Sequence, residues 1–184
     1  MAYTPIDKSS DYINTVLYNG TGNSTAVTGV GFQPDWVWVK CRSSGNSNSY
    51  AHVLTDVVRG VNKTLFSNET DGEVTNHAKG YLSAFGTDGF TVTGEDGTSA
   101  SGETYASWNW KAGGSASNNT DGDITASVSA NATAGFSIGS YNTSAMGSAS
   151  STYTIGHGLS SAPTMVIVKP YSTSDDWYVY HQGL

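Results

Sequence analysis

The sequence predicts an all-β fold of antiparallel strands, and three observations carry that prediction. Charged residues make up only 12% of the 184 residues, about half the usual share, and Ser, Thr, Gly and Asn stand in their place. Glycine (22 residues) and Asn reach positive φ cheaply, while Thr and the 11 Tyr suit a pleated surface, so short strands between tight turns are favoured. Strong helix formers such as Leu, Glu, Lys and Arg are scarce, which disfavours long helices.

The first strong strand is the run Gln33-Pro34-Asp35-Trp36-Val37-Trp38-Val39-Lys40. Read with period two, one face carries Trp36, Trp38 and Lys40 and the other Val37 and Val39, so the strand is apolar on both faces. That pattern fits a ligand platform, a core strand covered twice, or a contact with another chain. Cys41 continues the Val37/Val39 face and reads as a small buried hydrophobe rather than a reactive thiol. Further strands are expected at 51–58, 63–67, 89–93 and 104–111. The turn runs Asn68–Gly72, Thr87-Asp88-Gly89 and Glu95-Asp96-Gly97 separate them. The last strand sets Ala106, Trp108 and Trp110 on one face and Tyr105, Ser107, Asn109 and Lys111 on the other, the alternation of a half-buried strand.

Repetition organises the chain. Residues 17–44, "LYNGTGNSTAVTGVGFQPDWVWVKCRSS", are echoed at 140–172 by "SYNTSAMGSASSTYTIGHGLSSAPTMVIVKPYS". Tyr-Asn ends an apolar strand in both. A polar turn, a Thr-containing strand and a Gly-apolar pair follow, then Pro, a polar residue, four apolar residues and Lys. Pro34 matches Pro163, Trp36 matches Met165, Trp38 matches Ile167 and Lys40 matches Lys169. Met165 and Ile167 keep the bulk of the tryptophans without their stacking faces. The shared requirement is therefore packing: a central strand covered on both faces, in the sandwich or at a junction with another unit, with Lys40 and Lys169 where it emerges. Binding is then expected in the loops. The expected organisation is an N-terminal segment (1–12), a first β-sandwich unit (13–113), a flexible Gly/Ser/Asn-rich linker (114–123) and a partial second β unit (124–184). A half-length unit with unpaired edges predicts homo-oligomerisation or a continuing chain.

A formal charge of −7, with eight Lys and Arg against fifteen Asp and Glu, argues against nucleic acid. The N-terminus lacks the apolar core of a signal peptide, and no run approaches a bilayer span, so a soluble protein made in a cytoplasm is expected. With Cys41 alone there is no intrachain disulfide framework. The Asn-x-Ser/Thr triplets at Asn19, Asn23, Asn62, Asn68, Asn118, Asn131 and Asn142 follow from composition.

Catalytic and metal chemistry have weak candidates. His52, His77, His157 and His181 stand without a nucleophile motif, and His52 and His181 read as equivalent strand positions. The Asp-Gly turns at Asp71, Asp88, Asp96 and Asp121-Gly122-Asp123 lack the spacing of a calcium loop, and no zinc pattern occurs. Glu103, alone beside a strong strand, supplies no carboxylate pair. In Asp56–Gly60 an Asp56–Arg59 pair across the turn is expected, although Arg59 also suits a ligand carboxylate. Gly29-x-Gly31 lacks the third glycine of a phosphate loop. Exposed Trp and Tyr suit stacking on sugars, with Ser and Asn as hydrogen-bonding partners. No catalytic, metal or cofactor residue is therefore assigned.

Taken together, "GFQPDWVWVK", "HVLTDVVRG", "LFSNET", "LSAFGTDGFTV" and "SGETYASWNWKAGG" resemble a repeated domain of marine bacteriophage tail and appendage proteins. The segments "NNTDGDITASVSANATAGFSIGSY" and "IGHGLSSAPTMVIVK" resemble the inter-repeat stretch and the next repeat, so most of the chain is covered. The resemblance implies a concanavalin-like or SPRY-like antiparallel sandwich of jelly-roll type and a virion location, without catalytic residues. The expected function is a non-enzymatic tail-fibre or appendage component presenting a host-surface or glycan-binding sandwich. A capsid decoration or knob protein binding other virion subunits is the alternative, and a polysaccharide-degrading appendage enzyme the third.

Overall fold

The computed structural model describes residues 6–43, 51–147 and 151–184. Part of the N-terminal segment (1–5) and most of the polar turn after Cys41 lie outside the described residues. The first unit contains β1 (Ile13–Asn19), β2 (Thr25–Thr28), β3 (Trp36–Cys41), β4 (Val53–Asp56), β5 (Lys63–Phe66), β6 (Val74–Thr75), β7 (Leu82–Gly86), β8 (Gly89–Val92) and β9 (Thr104–Trp110). Then come β10 (Ser117–Asn119), β11 (Ala126–Asn131), β12 (Phe136–Tyr141), β13 (Met165–Val168) and β14 (Tyr178–His181), with short 3-10 turns at Ser9–Asp11 and Thr143–Ala145.

The fold is all-β and its strand pairs are antiparallel. A six-stranded sheet, ordered β1-β9-β3-β4-β5-β6, and a three-stranded sheet, β2-β8-β7, enclose the core of the first unit. Val37, Val39, Cys41, Val53, Phe66 and Tyr105 from the larger sheet meet Val27, Leu82, Phe90 and Val92 from the smaller. This is the sandwich geometry, in which alternate residues of each strand fill the space between two sheets. Cys41 is buried, and its thiol donates to the Ser43 carbonyl (3.1 Å). Burial is the main reason the thiol is held above its ordinary pKa, which leaves it protonated and unreactive.

β3 lies between β9 and β4, so it is central, as its two apolar faces predict. Val37 and Val39 are 1% and 2% exposed, while Trp36 and Trp38 are half-buried on the opposite face. β9 divides differently from what hydrophobicity alone suggests. Tyr105, Ser107 and Asn109 are fully buried, and Trp108 and Trp110 lie on the partly open side. The interior polar groups are largely satisfied: Asn109 Nδ2 donates to the Asn14 carbonyl (3.0 Å) and to Ser107 Oγ (3.0 Å). The Tyr105 hydroxyl donates to the Asp96 carbonyl (2.8 Å) and accepts from the Ala100 amide (2.9 Å). With its hydroxyl bonded, the large Tyr105 ring can be buried, and it stacks on Tyr18 at 5.2 Å.

The stretch expected to be a flexible linker is structured. Ser117–Asn119 form β10, which pairs with β11, and β11 pairs with β12 to make a three-stranded sheet. The preceding turn is clasped to the first unit. Asp35 is 2% exposed, and its Oδ2 accepts from the amides of Ala112 (2.7 Å) and Gly114 (3.1 Å). From the other side, Ser129 Oγ accepts from the Gly113 amide (3.0 Å) and donates to the Gly114 carbonyl (2.7 Å), and Asn131 Nδ2 donates to the Ala112 carbonyl (3.3 Å).

The two segments matched in sequence share two features of backbone geometry. Gly31 and Gly158, each opening a Gly-apolar pair, both hold positive φ (88° and 69°), a region that glycine enters without strain. β13 and β14 form an antiparallel hairpin, as β3 and β4 do. The registers correct one sequence reading. His181 lies opposite Met165, where Asp56 lies opposite Trp36, so His181 matches Asp56 and not His52. Lys169 does not emerge freely either: its Nζ donates to the carbonyls of Thr70 (3.1 Å), Pro170 (2.9 Å) and Asp175 (3.0 Å). The loop 169–177 is thereby tied to the first unit, and Trp177 Nε1 donates to the carbonyls of Phe66 and Glu69 (3.1 Å each).

Candidate binding surface

Cross-strand pairing builds an aromatic patch on the outer face of the six-stranded sheet. Trp36 pairs with Trp110 and Trp38 with Trp108, and directly paired residues share a face. The Trp36 and Trp110 rings lie 4.5 Å apart, Trp36 and Trp38 6.2 Å, and Trp38 and Trp108 5.9 Å in an edge-to-face arrangement. β1 extends the patch, because Ile13 pairs with Trp110 and Thr15 with Trp108, and Ile13 and Leu17 are exposed. One end is roofed by Phe136 of β12, stacked on Trp36 (5.9 Å, 27°) and Trp110 (6.4 Å, 28°). The second apolar face of β3 thus meets the second unit at Trp36 and stays partly open at Trp38. Open indole edges with a neighbouring Thr15, His52 and Lys40 suit either a sugar face or an apolar protein surface.

His52 fixes the open end. The Trp38 indole N–H donates to His52 Nδ1 (2.8 Å), so the neutral ring carries its proton on Nε2. His52 is held below the ordinary histidine value, first by burial and then by the Lys40 charge. Burial, with Lys79 next and Glu69 opposing, depresses His77 as well. A depressed histidine takes its proton in the unfolded chain before the folded one. Its contribution to stability is therefore complete above the unfolded value, near 6.5, and is lost as pH falls through the lower folded value. Acidifying through that window should quench and shift Trp38 emission as His52 loses its acceptor nitrogen. His52→Gln should lack that titration; an identical titration in the variant would assign it elsewhere.

The other residues singled out in the sequence are dispersed or engaged. Arg59 is a structural ion, with Nε donating to Asp56 Oδ2 (2.6 Å), Nη1 to Glu73 Oε2 (3.2 Å) and Nη2 to the Leu54 carbonyl (3.3 Å). Asp56 Oδ1 also accepts from the amides of Val58 and Arg59, closing the turn before Gly60 (φ 93°). With its side chain 8% exposed and these three bonds made inside the fold, Arg59 is committed to the structure. The Gly29-x-Gly31 loop does cradle an anion, and it is the chain's own. The Asp88 carboxylate accepts from the Gly29 (3.0 Å) and Gly31 (2.6 Å) amides, which hold it below the usual carboxylate range.

Glu103 accepts from the Ser43 hydroxyl (2.6 Å) and stands beside the Cys41 thiol (3.8 Å). Asp96 gives its carbonyl to Tyr105, and Asp121 accepts from the Asn119 side chain. Asp123 accepts from the Thr154 amide and hydroxyl, which lower its pKa. Asp71 lines an open groove with Lys63, Glu73, Tyr171 and Ser174. Among the described residues no three His, Cys, Asp or Glu side chains group as metal ligands, and no helix is long and apolar enough to cross a membrane. The aromatic patch is legible in the sequence only as alternation. Its open side depends on which face of β9 is buried, and Ser107 and Asn109 disguise that.

No curated protein and no solved structure matches this chain. A family model described as a domain of unknown function, DUF7483, matches residues 8–184 and runs through both β units. That match covers nearly the whole sequence, and the chain belongs to this family of domains of unknown function, DUF7483.

Proposed function

We propose that this chain is a non-enzymatic structural component of a bacteriophage virion, an appendage or tail-fibre protein that assembles as a homo-oligomer and presents a β-sandwich to the host surface. The observation that carries the reading is the contrast between the two copies of the repeat. The β3–β4 hairpin is buried in a sheet, whereas β13–β14 leaves Met165 (51% exposed), Ile167 (44%), Tyr178 (53%) and Tyr180 (58%) open. An apolar strand pair of that kind suits a protein that works inside an assembly. The aromatic patch around Trp38 and Trp108 supports a surface that meets glycan, and the sequence motifs support the phage origin.

A capsid decoration protein is the second reading, favoured by the same hairpin if its neighbours are other virion subunits. Gold-labelled antibody against this chain, applied to intact particles, tests both. Label on tail appendages is expected, label over the capsid shell selects decoration, and particles without label overturn the virion assignment.

A further inference from the structure

The hydrogen-bond ladders of the two repeats carry an inference about how the second unit is completed. In an antiparallel strand, backbone groups of alternate residues point to opposite edges. Flanking β3, the Asp35 carbonyl accepts from the Val57 amide on the β4 side, while its own amide, just outside the strand, donates to the Trp110 carbonyl. At the other end the Arg42 amide donates to the Thr104 carbonyl of β9. The alternation therefore directs the N–H and C=O groups of Trp36, Trp38 and Lys40 at β9. In β13 the Gln182 amide donates to the Thr164 carbonyl, so Thr164, Val166 and Val168 face β14. Met165 and Ile167, the counterparts of Trp36 and Trp38, then point their N–H and C=O groups at the opposite edge. Among the described residues no strand pairs with that edge.

We infer that this edge is a dimerisation site, occupied by β13 of a second copy to give a continuous sheet β14-β13-β13-β14 across a two-fold axis near Val166. This deepens the homo-oligomer reading above and rests on it. Self-pairing is chemically consistent. With the axis at Val166, Met165 of one copy faces Ile167 of the other, and each pair exchanges both backbone bonds. The segment Met165–Val168 carries no charge, and antiparallel pairing sets Lys169 of one copy beside Pro163 of the other. The two lysines therefore stand at opposite ends of the interface rather than across from each other. Pro163 has no N–H to leave unpaired, so the ladder ends there without cost.

The pairing uses the backbone edge of β13 and leaves the faces of the hairpin largely as they are. The six open side chains Met165, Val166, Ile167, Tyr178, Val179 and Tyr180 line the hairpin's two faces. An edge-to-edge contact covers chiefly the β13 side chains beside the seam and leaves Tyr178, Val179 and Tyr180 of β14 open, so the backbone ladder, not buried area, holds the dimer. An isologous contact of this kind closes on itself and does not propagate into fibres.

The test is sedimentation of the full chain at micromolar concentration with two variants. Wild type is expected to sediment as a dimer. Ile167→Pro removes one outward N–H without touching the β14 ladder, and should weaken association at least tenfold with an unchanged circular dichroism spectrum. Val166→Cys places two thiols across the axis at a non-hydrogen-bonded pair, where a disulfide should link the copies on oxidation. A wild-type monomer overturns the inference. So does a dimer that tolerates Ile167→Pro and stays unlinked when the Val166→Cys variant is oxidised, because it uses another face. A monomer that binds a peptide of the β9 sequence, residues 104–111, also overturns it and gives the edge to a β9-type strand from elsewhere. None of these results bears on whether particles carry the chain, which the gold label decides separately.

Discussion

Asp35→Ala will lower the melting temperature by about 10 °C, because it strands the amides of buried Ala112 and half-buried Gly114. Both amides donate to the single oxygen Asp35 Oδ2. An unsatisfied buried donor costs about 1–3 kcal/mol, so the pair should cost roughly 3 kcal/mol. In a chain of this size, each kcal/mol shifts the midpoint by about 2–4 °C. Asp35→Asn separates the hydrogen bonds from the charge. Its amide oxygen can take the place of Oδ2 and accept both bonds, while its NH2 occupies the position of Oδ1, which has no partner in the buried site. Asparagine should therefore recover most of the loss in a calorimetric melt. Equal damage from Asn and Ala would mean that the carboxylate's charge holds the turn.

Arg59→Ala should cost about 3–5 kcal/mol, because it leaves the buried Asp56 carboxylate without its charge partner and Glu73 with Lys63 alone. The Arg59 and Asp56 side chains are each 8% exposed and Glu73 is 14%, and the guanidinium spans both acids and the Leu54 carbonyl. Lys63 reaches Glu73 at 3.1 Å and makes no ion pair with Asp56, so the Asp56 side is the more damaged. Arg59→Lys should recover only part of the loss, since an ammonium lacks the planar fork that joins three acceptors. Denaturant titration checks this. Removing Glu73 in the same chain (Glu73→Gln) should make the cost of Arg59→Ala visibly smaller, and strict additivity of the two would refute the network.

How much is legible in the sequence follows from where the signals live. β3, β5, β8 and β9 are readable because period-two alternation and Asp-Gly turns are local, and β13 because it repeats β3. β7 gives no such signal, since its pairing with β8 is broken by an irregularity between Leu82 and Ala84 and its end meets glycine. β10 has no chance of being read from hydrophobicity. Ser117, Asn118 and Asn119 bury almost nothing and join the sheet through the backbone, so a Ser/Asn-rich strand looks like a linker. The Asp35 clasp joins residues 77 and 79 positions apart, and nothing nearby marks Asp35 as different from any turn aspartate. The Asp56–Arg59 pair is readable because its partners are three residues apart; its extension to Glu73 is not. The equivalence of His52 and His181 fails because the turns joining the two hairpins differ in length, which only the strand register reveals.

The clasp around Ala112–Gly114 also decides how the chain bears a mechanical load. A polypeptide whose two β units were joined by slack Gly/Ser linker would extend like a loose tether before either unit felt any pull. Here a force applied at β14 meets the Trp177 and Lys169 bonds to the 66–70 segment and, through β11, the Ser129–Gly113 bond and the Asp35 bonds to Ala112 and Gly114 that close the junction. Phe136, wedged over Trp36 and Trp110, adds an apolar lock at the same joint. Tension is thus shared by several connections in parallel, and the two units behave as one stiff element rather than as beads on a string.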